Sequence, residues 1–288
     1  MNMLPTFAAS EADLVRDAMA LPLALKIRQA IGLLQMYEPT ALRLNPAGYW
    51  LAYSGGKDSE VILSLVRAAG VTHTAEYNVT TIDPPELVRF IRREHPDVHW
   101  NRQKKSMMAT IADTPDGPPT RLARWCCKKY KSHGGDGYAK ILGVRAAESA
   151  RRARIWQQVV PHRNHTADSV IICPIVYWTD TDIWAYHRLY GLQHCELYDE
   201  GMKRLGCIGC PLAGPKTVMR EFARWPRYAR NWKRAVMMNW DMWHGVTRDD
   251  GKPRYQAGFA NADEFWTWWI SGHRKTKSKE CQAEMLFT

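Results

Sequence analysis

No stretch of this chain approaches the roughly 18 uninterrupted apolar residues that a membrane-crossing helix needs. The N-terminal run MNMLPTFAASEADLVRDAMA has no basic start followed by an apolar block, so it does not read as a secretory signal. There is no internal repeat, no long low-complexity tract and no G-x-x-x-x-G-K-[ST] loop. Acidic residues are in deficit: 29 Asp and Glu face 40 Lys and Arg, for a net charge of +11. These features predict a cytoplasmic protein without a membrane partner, drawn to polyanions such as nucleotides or nucleic acid. Against these absences, 45% hydrophobic and 24% charged residues exclude wholesale disorder, and 288 residues suffice for one large domain with an appendage.

Hydrophobic periodicity orders the elements. Apolar residues recur at helical spacing over 14–36, and Pro39 with the Asn45-Pro46-Ala47-Gly48 turn closes that region. Residues 49–53 read as a short buried strand, and 59–69 as a helix ended by Gly70. Strand-like runs at 72–80, 98–101, 139–144 and 170–175 alternate with helices at 84–95 and 180–190, the latter capped by Thr179 or Asp180. Such alternation predicts an α/β fold: a doubly wound, mostly parallel sheet with helices on both faces. After Gly214 the composition turns basic and Trp-rich. Three parts are therefore expected: an N-terminal helical segment over 1–46, the α/β domain over 47–214 and a helical C-terminal appendage over 215–288.

Ser54-Gly55-Gly56-Lys57-Asp58-Ser59 joins the first predicted strand to the helix after it. Glycines let main-chain amides turn inward around a phosphate, and the following helix offers free N–H groups and its positive dipole end. Ser54 and Ser59 add hydroxyls, Lys57 adds a cation, and Asp58 adds a carboxylate for Mg²⁺ or for orienting the loop. The plainer reading is a Gly-Gly turn with a serine cap. Six matching positions in a strand–loop–helix context weigh against it.

Seven cysteines in a reducing compartment read as ligands, nucleophiles or buried hydrophobes rather than disulfides. Cys126-Cys127 is followed at long range by Cys207-Ile208-Gly209-Cys210. A C-x-x-C turn converges two thiolates, and nearby Lys and Arg offset their charge. Four thiolates suit a [4Fe–4S] cluster; zinc is the alternative, with an awkward geometry for two adjacent ligands.

The loop resembles the SGGxDS pyrophosphate loop of the adenine nucleotide alpha-hydrolase superfamily. That resemblance implies ATP or a related adenylate on a doubly wound sheet, and in many members cleavage between the alpha and beta phosphates. The cysteine pattern is similar to that of the phosphoadenosine phosphosulfate (PAPS) reductase family, in its iron–sulfur adenylyl-sulfate reductase branch. Gly143-Val144-Arg145-Ala146-Ala147-Glu148-Ser149, with Arg151, Arg152 and Arg154 behind it, is similar to the family's G-x-R-x-x-E-S segment. This implies Arg145 on the nucleotide phosphates, and Glu148, Arg151 and Arg152 around the substrate anion. The run 174–184 is similar to the family's P-I-x-x-W-[ST]-x-x-D-[IV]-W. The resemblance covers roughly 48–214. Beside it stand plainer readings: a solvated helix face for Arg151, Arg152 and Arg154, and a capped helix feeding Trp178, Ile183 and Trp184 into the core. Asp83 reads as a helix N-cap, and His133 and His165 as loop residues.

Two enzymatic readings follow from the resemblance. In the favoured one, the loop holds the beta and gamma phosphates of ATP with Mg²⁺, Lys57 and Arg145 stabilise charge, and an acceptor is adenylated before sulfur displaces AMP. A sulfur-donor protein such as a cysteine desulfurase is then the expected partner. Relatives of this kind include tRNA thiolases and the DNA phosphorothioation ATP pyrophosphatase. The alternative is reduction of PAPS or adenylyl sulfate to sulfite with thioredoxin, which needs a mobile nucleophilic cysteine. Glu280-Cys281 matches the start of the family's E-C-G-[LI]-H motif, but Gln282 and Ala283 follow. Lys275, Lys277 and Lys279 would depress the Cys281 thiol pKa, while a chance Glu-Cys pair explains it equally. A nucleotide-binding regulator without turnover is a third reading. The basic, aromatic run 217–243 suits nucleic acid, with Arg and Lys on phosphates and Trp and Tyr on bases; it equally suits helices packed on a core.

Overall fold

The computed structural model describes residues 10–161 and 170–272. Contacts divide the chain into two units. The first takes the described residues of Met1–Asn78, Pro85–Asn101 and Gly134–Leu205; the second takes those of Val79–Pro84, Arg102–His133 and Gly206–Thr288.

The first unit is built on six strands among the described residues: β1 (Tyr49–Tyr53), β2 (His73–Val79), β3 (His99–Arg102), β4 (Ala139–Ile141), β5 (Val159–Pro161) and β6 (Val170–Ile172). They lie in the order β3-β2-β1-β4-β6-β5. β1 pairs in parallel with β2 and β4, and β4 in parallel with β6, while β5 runs antiparallel to β6 at the edge. The chain winds outward from β1 to β3, then resumes with β4 on the other side of β1. The order reverses between β1 and β4, which is where open α/β sheets form a ligand crevice at the carboxyl ends of their strands. β1 reads YWLAY and is buried along nearly its whole length, as a covered parallel strand requires.

The helix Lys57–Ala69 follows β1 and buries Val61, Ile62, Leu65 and Val66 completely. Gly70 ends it at φ +69°, the left-handed conformation that glycine adopts without a Cβ penalty. The helix Asp180–Tyr190 opens on Thr179, whose side chain accepts from Asp182 N while Asp182 caps Thr179 in return.

Three elements depart from the sequence expectation. The helix expected over 14–36 is two helices, Glu11–Ala20 and Leu23–Leu44, parted at Leu21 and Pro22. Pro39 lies inside the second instead of ending it. Lys26, on that helix, is buried and donates to Asp182 Oδ2 at 2.6 Å and to the Met19 carbonyl at 2.7 Å, so the family-like Asp182 pins two helices together. β5 escapes the periodicity because it is three residues long and ends on Pro161, which an edge strand tolerates.

The second unit gathers the helices Met107–Asp113, Trp125–Tyr130, Pro215–Arg224, Pro226–Trp243 and Ala262–Ile270. It cuts across the expected boundary at 214 because earlier segments bond into the C-terminal helices. Asn239 donates to the carbonyls of Ile111 and Thr114 at 2.8 and 2.7 Å, and Trp269 Nε1 donates to the Pro119 carbonyl at 3.0 Å. Trp232 stacks on Trp269 with centroids 4.4 Å apart. Trp225 and Trp232 are buried, so these aromatics of 217–243 serve the core, while the cations between them stay exposed. No helix among the described residues is long and apolar enough to cross a membrane.

Candidate active site

Within the first unit, the residues gathered are those at the carboxyl ends of β1, β4 and β6. Gly55 takes φ +69°, and a Cβ there would meet Ile91 at 2.7 Å and Leu87 at 2.8 Å. The position admits only glycine, for both backbone and space. Gly56 opens the helix Lys57–Ala69 from an extended conformation with no side-chain cap of its own, so that, beyond the Lys57 amide taken by Tyr198, an anion would meet the amides of the first turn. Ser59 Oγ donates to the Gly56 carbonyl at 2.8 Å and accepts from Ser54 Oγ at 3.2 Å, so both serines brace the loop. Tyr198 accepts from Lys57 N at 3.0 Å, and His187 Nε2 lies 2.9 Å from the Lys57 carbonyl.

Two buried cations stand over this loop. Lys57 Nζ is 3.2 Å from Asp58 Oδ2 and 3.3 Å from Asp180 Oδ1. Arg145 Nε lies 2.6 Å from Asp58 Oδ1, and its Nη2 donates to Asp180 Oδ1 at 2.7 Å. Burial would raise the Asp180 carboxyl, but Arg145 and Lys57 outweigh it and hold the group below its usual value. Glu148 braces the turn by accepting from Arg145 N at 3.3 Å and pairs with Arg152. Burial and the like charges of Arg204 and Arg145 lower the Arg152 pKa. The loop, Arg145, Glu148 and Arg152 thus stand together, whereas Arg151 and Arg154 are exposed on the short helix Ala150–Ile155.

The second unit holds the thiols. Cys126, Cys127, Cys207 and Cys210 are all free. Cys126 and Cys127 share a hydrogen bond on the helix Trp125–Tyr130, and the pair titrates as one. That bond, with Lys131 and Arg124, pulls Cys127 down to about 6, while Cys126 is pushed up by the same bond, by burial and by the charges of Cys207 and Cys210. Burial pushes Cys207 up to about 12 against the pull of Lys131. Lys131 bonds Cys207 and faces Cys210 and Asp83, and the Cys207 charge holds its ammonium above the usual lysine value. Gly209 shapes the C-x-x-C turn at φ +73°; a Cβ there would meet Trp232 Nε1 at 2.7 Å and Phe222 at 2.8 Å.

Asp83 was expected as a helix N-cap. It instead accepts from Thr80 Oγ1 at 2.7 Å and lies in the electrostatic reach of Lys131 and Cys207. Beside it Thr81 holds φ +67°, uncommon and strained for a β-branched residue, with its Oγ1 accepting from Met107 N at 3.0 Å. Ile208 N donates to the Ile82 carbonyl at 2.8 Å and ties this segment to the C-x-x-C turn.

No three His, Cys, Asp or Glu side chains stand in ion-holding geometry among the described residues. By chemistry, the donor set fits a thiolate-ligated group: four free thiols that sense one another, beside a lysine cation that offsets their charge. Cys281 and His165 lie outside the described residues. Sequence reasoning missed Asp180, Tyr198, Arg204 and Lys131. Only Lys131 had a local signal, since four positions after Cys127 is one helical turn.

A family model for the phosphoadenosine phosphosulfate reductase domain matches residues 48–213. Adenosine 5'-phosphosulfate reductase 2 of Bacillus subtilis is 31% identical over 147 residues, covering 49% of this chain and 61% of that protein. An uncharacterized protein of Methanocaldococcus jannaschii is 26% identical over 191 residues, 63% of this chain and 46% of its own. The chain spans about half the length of the first curated relatives it matches. A solved PAPS reductase from Candida auris aligns at 15% identity with a TM-score of 0.45, covering 72% of this chain and 98% of that one.

Proposed function

Since the chain belongs to the phosphoadenosine phosphosulfate reductase domain family, we propose that it is a nucleotide-binding enzyme of that family that splits ATP and activates an acceptor for sulfur transfer. The observation that carries this reading is the complete Ser54–Ser59 loop, with a glycine at the helix start and two buried cations, Lys57 and Arg145, beside it. A polyphosphate matches that donor set: amides for the beta and gamma oxygens, Lys57 and Arg145 for the charge that develops at the alpha phosphorus. ATP enters with Mg²⁺, for which Asp58 is the loop's carboxylate.

An acceptor oxygen attacks the alpha phosphorus, the bond to the beta-phosphate oxygen breaks, and pyrophosphate leaves. A sulfur nucleophile then attacks the acceptor carbon, and AMP leaves with the oxygen. Asp58 and Asp180 hold Lys57 and Arg145 in place until phosphate oxygens replace them. Cys126, Cys127, Cys207 and Cys210 would hold an iron–sulfur cluster, with zinc as the alternative. Such a group, when bound, supplies a polarising metal centre for a sulfur species. Lys131 offsets the thiolate charge at Cys207.

The similarity to adenosine 5'-phosphosulfate reductase 2 favours a second reading, reduction of adenylyl sulfate or PAPS to sulfite with a thiol donor. One experiment separates the two. Purified anaerobically, the protein is assayed for pyrophosphate release from ATP and, in parallel, for thioredoxin-dependent sulfite release from adenylyl sulfate and PAPS. Pyrophosphate without sulfite supports the first reading; sulfite without pyrophosphate replaces it with the second. Neither product, with tight nucleotide binding, would leave a regulator.

A further inference from the structure

The charge excess of the described residues is confined to one of the two units. Among the described residues, the first unit carries seventeen Lys and Arg against seventeen Asp and Glu; the second carries eighteen against nine. The first unit already holds the anionic nucleotide in the proposed function, yet it is neutral.

Its placement is ordered. On the helix Pro215–Arg224, Lys216, Arg220 and Arg224 recur at four-residue spacing, opposite the buried Val218 and Phe222. On the helix Pro226–Trp243, Arg227, Arg230 and Arg234 are exposed, opposite the buried Trp232, Ala235, Val236 and Asn239. Each helix therefore gives its apolar side to the core and a row of guanidinium and ammonium groups to solvent. Lys233 is partnered by Asp263 at 3.0 Å, and Arg224 lies over the Trp225 ring.

The same unit contains a cavity of about 440 Å³, lined by Gln103, Thr110, Thr114, Asp116, Trp125, Lys128, Lys129 and His133. Trp125 Nε1 donates to the Gly117 carbonyl at 3.0 Å, which fixes the half-buried indole as a platform. Lys129 reaches Thr110 Oγ1 at 3.5 Å, and Gln103 Nε2 lies 2.8 Å from His133 Nε2. An aromatic platform, two ammonium groups and amide, hydroxyl and carboxylate partners match one nucleotide: a base to stack and read, a phosphate to neutralise. The volume is in the range of ligand sites. Asn239, on the basic helix, bonds the Ile111 and Thr114 carbonyls and so anchors the segment that carries Thr110 and Thr114.

We infer that the second unit binds a single strand of nucleic acid, its backbone along the cations of Pro215–Arg224 and Pro226–Trp243 and one unstacked base in the Trp125 cavity. A single strand is favoured over a duplex because a paired base cannot enter a cavity. It is favoured over a lipid surface or an acidic protein because the cavity joins an indole to two ammonium groups and is nucleotide-sized. The surface stands independently of the ATP reading. That this strand is the acceptor activated at the phosphate loop rests on that reading.

The test is fluorescence anisotropy with a labelled single strand of about 20 nucleotides, as RNA and as DNA, against the same sequence as a duplex and against anionic vesicles, over a series of salt concentrations. The full-length protein is compared with Arg227→Glu/Arg230→Glu/Arg234→Glu and with Lys128→Glu/Lys129→Glu. All five positions are exposed, and basal pyrophosphate release without nucleic acid is expected to stay unchanged. Tenfold or greater weakening by each set is expected. The slope of log K against log salt should fall by about 2 in the triple variant, since a phosphate contact on a single strand contributes roughly 0.7. Binding that ignores both sets, or that prefers duplex or vesicles, overturns the inference. Strand binding without any pyrophosphate release would uphold the surface and remove only its role as acceptor.

Discussion

Arg145 and Asp180 are an unequal pair: the guanidinium is 3% exposed, the carboxylate that meets its Nη2 at 2.7 Å is 72% exposed. The same carboxylate oxygen lies 3.3 Å from Lys57. One solvent-facing anion therefore neutralises both buried cations of the phosphate loop, and an arriving phosphate competes with it. Asp180→Asn is expected to tighten binding of pyrophosphate and of ATP. Exposed ion pairs are worth about 1 kcal/mol or less, so the gain is at most about fivefold. Titration calorimetry of both ligands measures it. Weaker binding in the variant would mean that Asp180 holds the ligand instead of contesting it.

Lys57→Ala removes one cation and leaves Asp58 and Asp180 to Arg145 alone. If the loop carries the chemistry, pyrophosphate release should fall by about 100-fold or more, a loss typical of a group that stabilises transition-state charge. Asp58→Ala should act similarly, through Arg145. Circular dichroism checks that the fold persists. Unchanged release in either variant would remove the loop from the reaction.

How far these sites were legible depended on whether their causes were local. The glycines at 55, 56 and 70 announced a strand, a turn and a helix, and the structure has β1, the loop and Lys57–Ala69 there. Thr179 or Asp180 announces a capped helix, and Thr179 is the cap of the helix that begins at Asp180. By contrast, Tyr198 and Asp180 meet Lys57 from more than a hundred positions away, and no periodicity encodes such a meeting. A pre-helical aspartate is usually a cap, whereas Asp83 turns back on Thr80, three residues earlier, and stands in reach of the Lys131–Cys207 pair, which is remote in sequence. The contact units cut across the expected boundary at 214 because Asn239 and Trp269 draw in residues from 111 to 119 that are remote in sequence.

His187 gives the phosphate loop a pH limit. Burial depresses its pKa below the ordinary histidine value, and its Nε2 lies 2.9 Å from the Lys57 carbonyl, where a neutral ring donates. In the unfolded chain histidine takes up a proton below about pH 6.5. The folded ring resists it, so the unfolded state binds more protons in that window and stability falls as pH drops below about 6.5. Melting temperatures measured from pH 7.5 to pH 5.5 should decline, and His187→Gln should flatten the decline. An unaltered slope in that variant would assign the effect to another group.

The thiols make a compositional prediction. Anaerobically purified protein should be coloured and contain iron, and Cys207→Ser or Cys210→Ser should lose both. Lys131→Gln replaces no thiol and should keep the iron while weakening its retention during chelator challenge, because the ammonium bonded to Cys207 is gone. A colourless protein loaded with zinc would overturn the cluster and leave the four-thiol site.

Gly209 couples the thiols to the aromatic core of the second unit. Its N–H donates to Glu221 Oε2 at 2.8 Å, and Trp232 Nε1 donates to the neighbouring Ile208 carbonyl at 2.9 Å. A methyl group added there would strike both Trp232 and Phe222, and φ +73° is a conformation that costs an L-residue about 1–2 kcal/mol before any clash. Glu221 is half-buried, and burial raises its pKa, so a displaced Gly209 amide would also leave a costly acceptor. Gly209→Ala should therefore lower the melting temperature and reduce iron content together, whereas Gly206→Ala, where an added Cβ meets nothing within 4 Å, should change neither. Equal behaviour of the two variants would show that the turn does not depend on the left-handed glycine, and that the C-x-x-C sulfurs are positioned by some other contact.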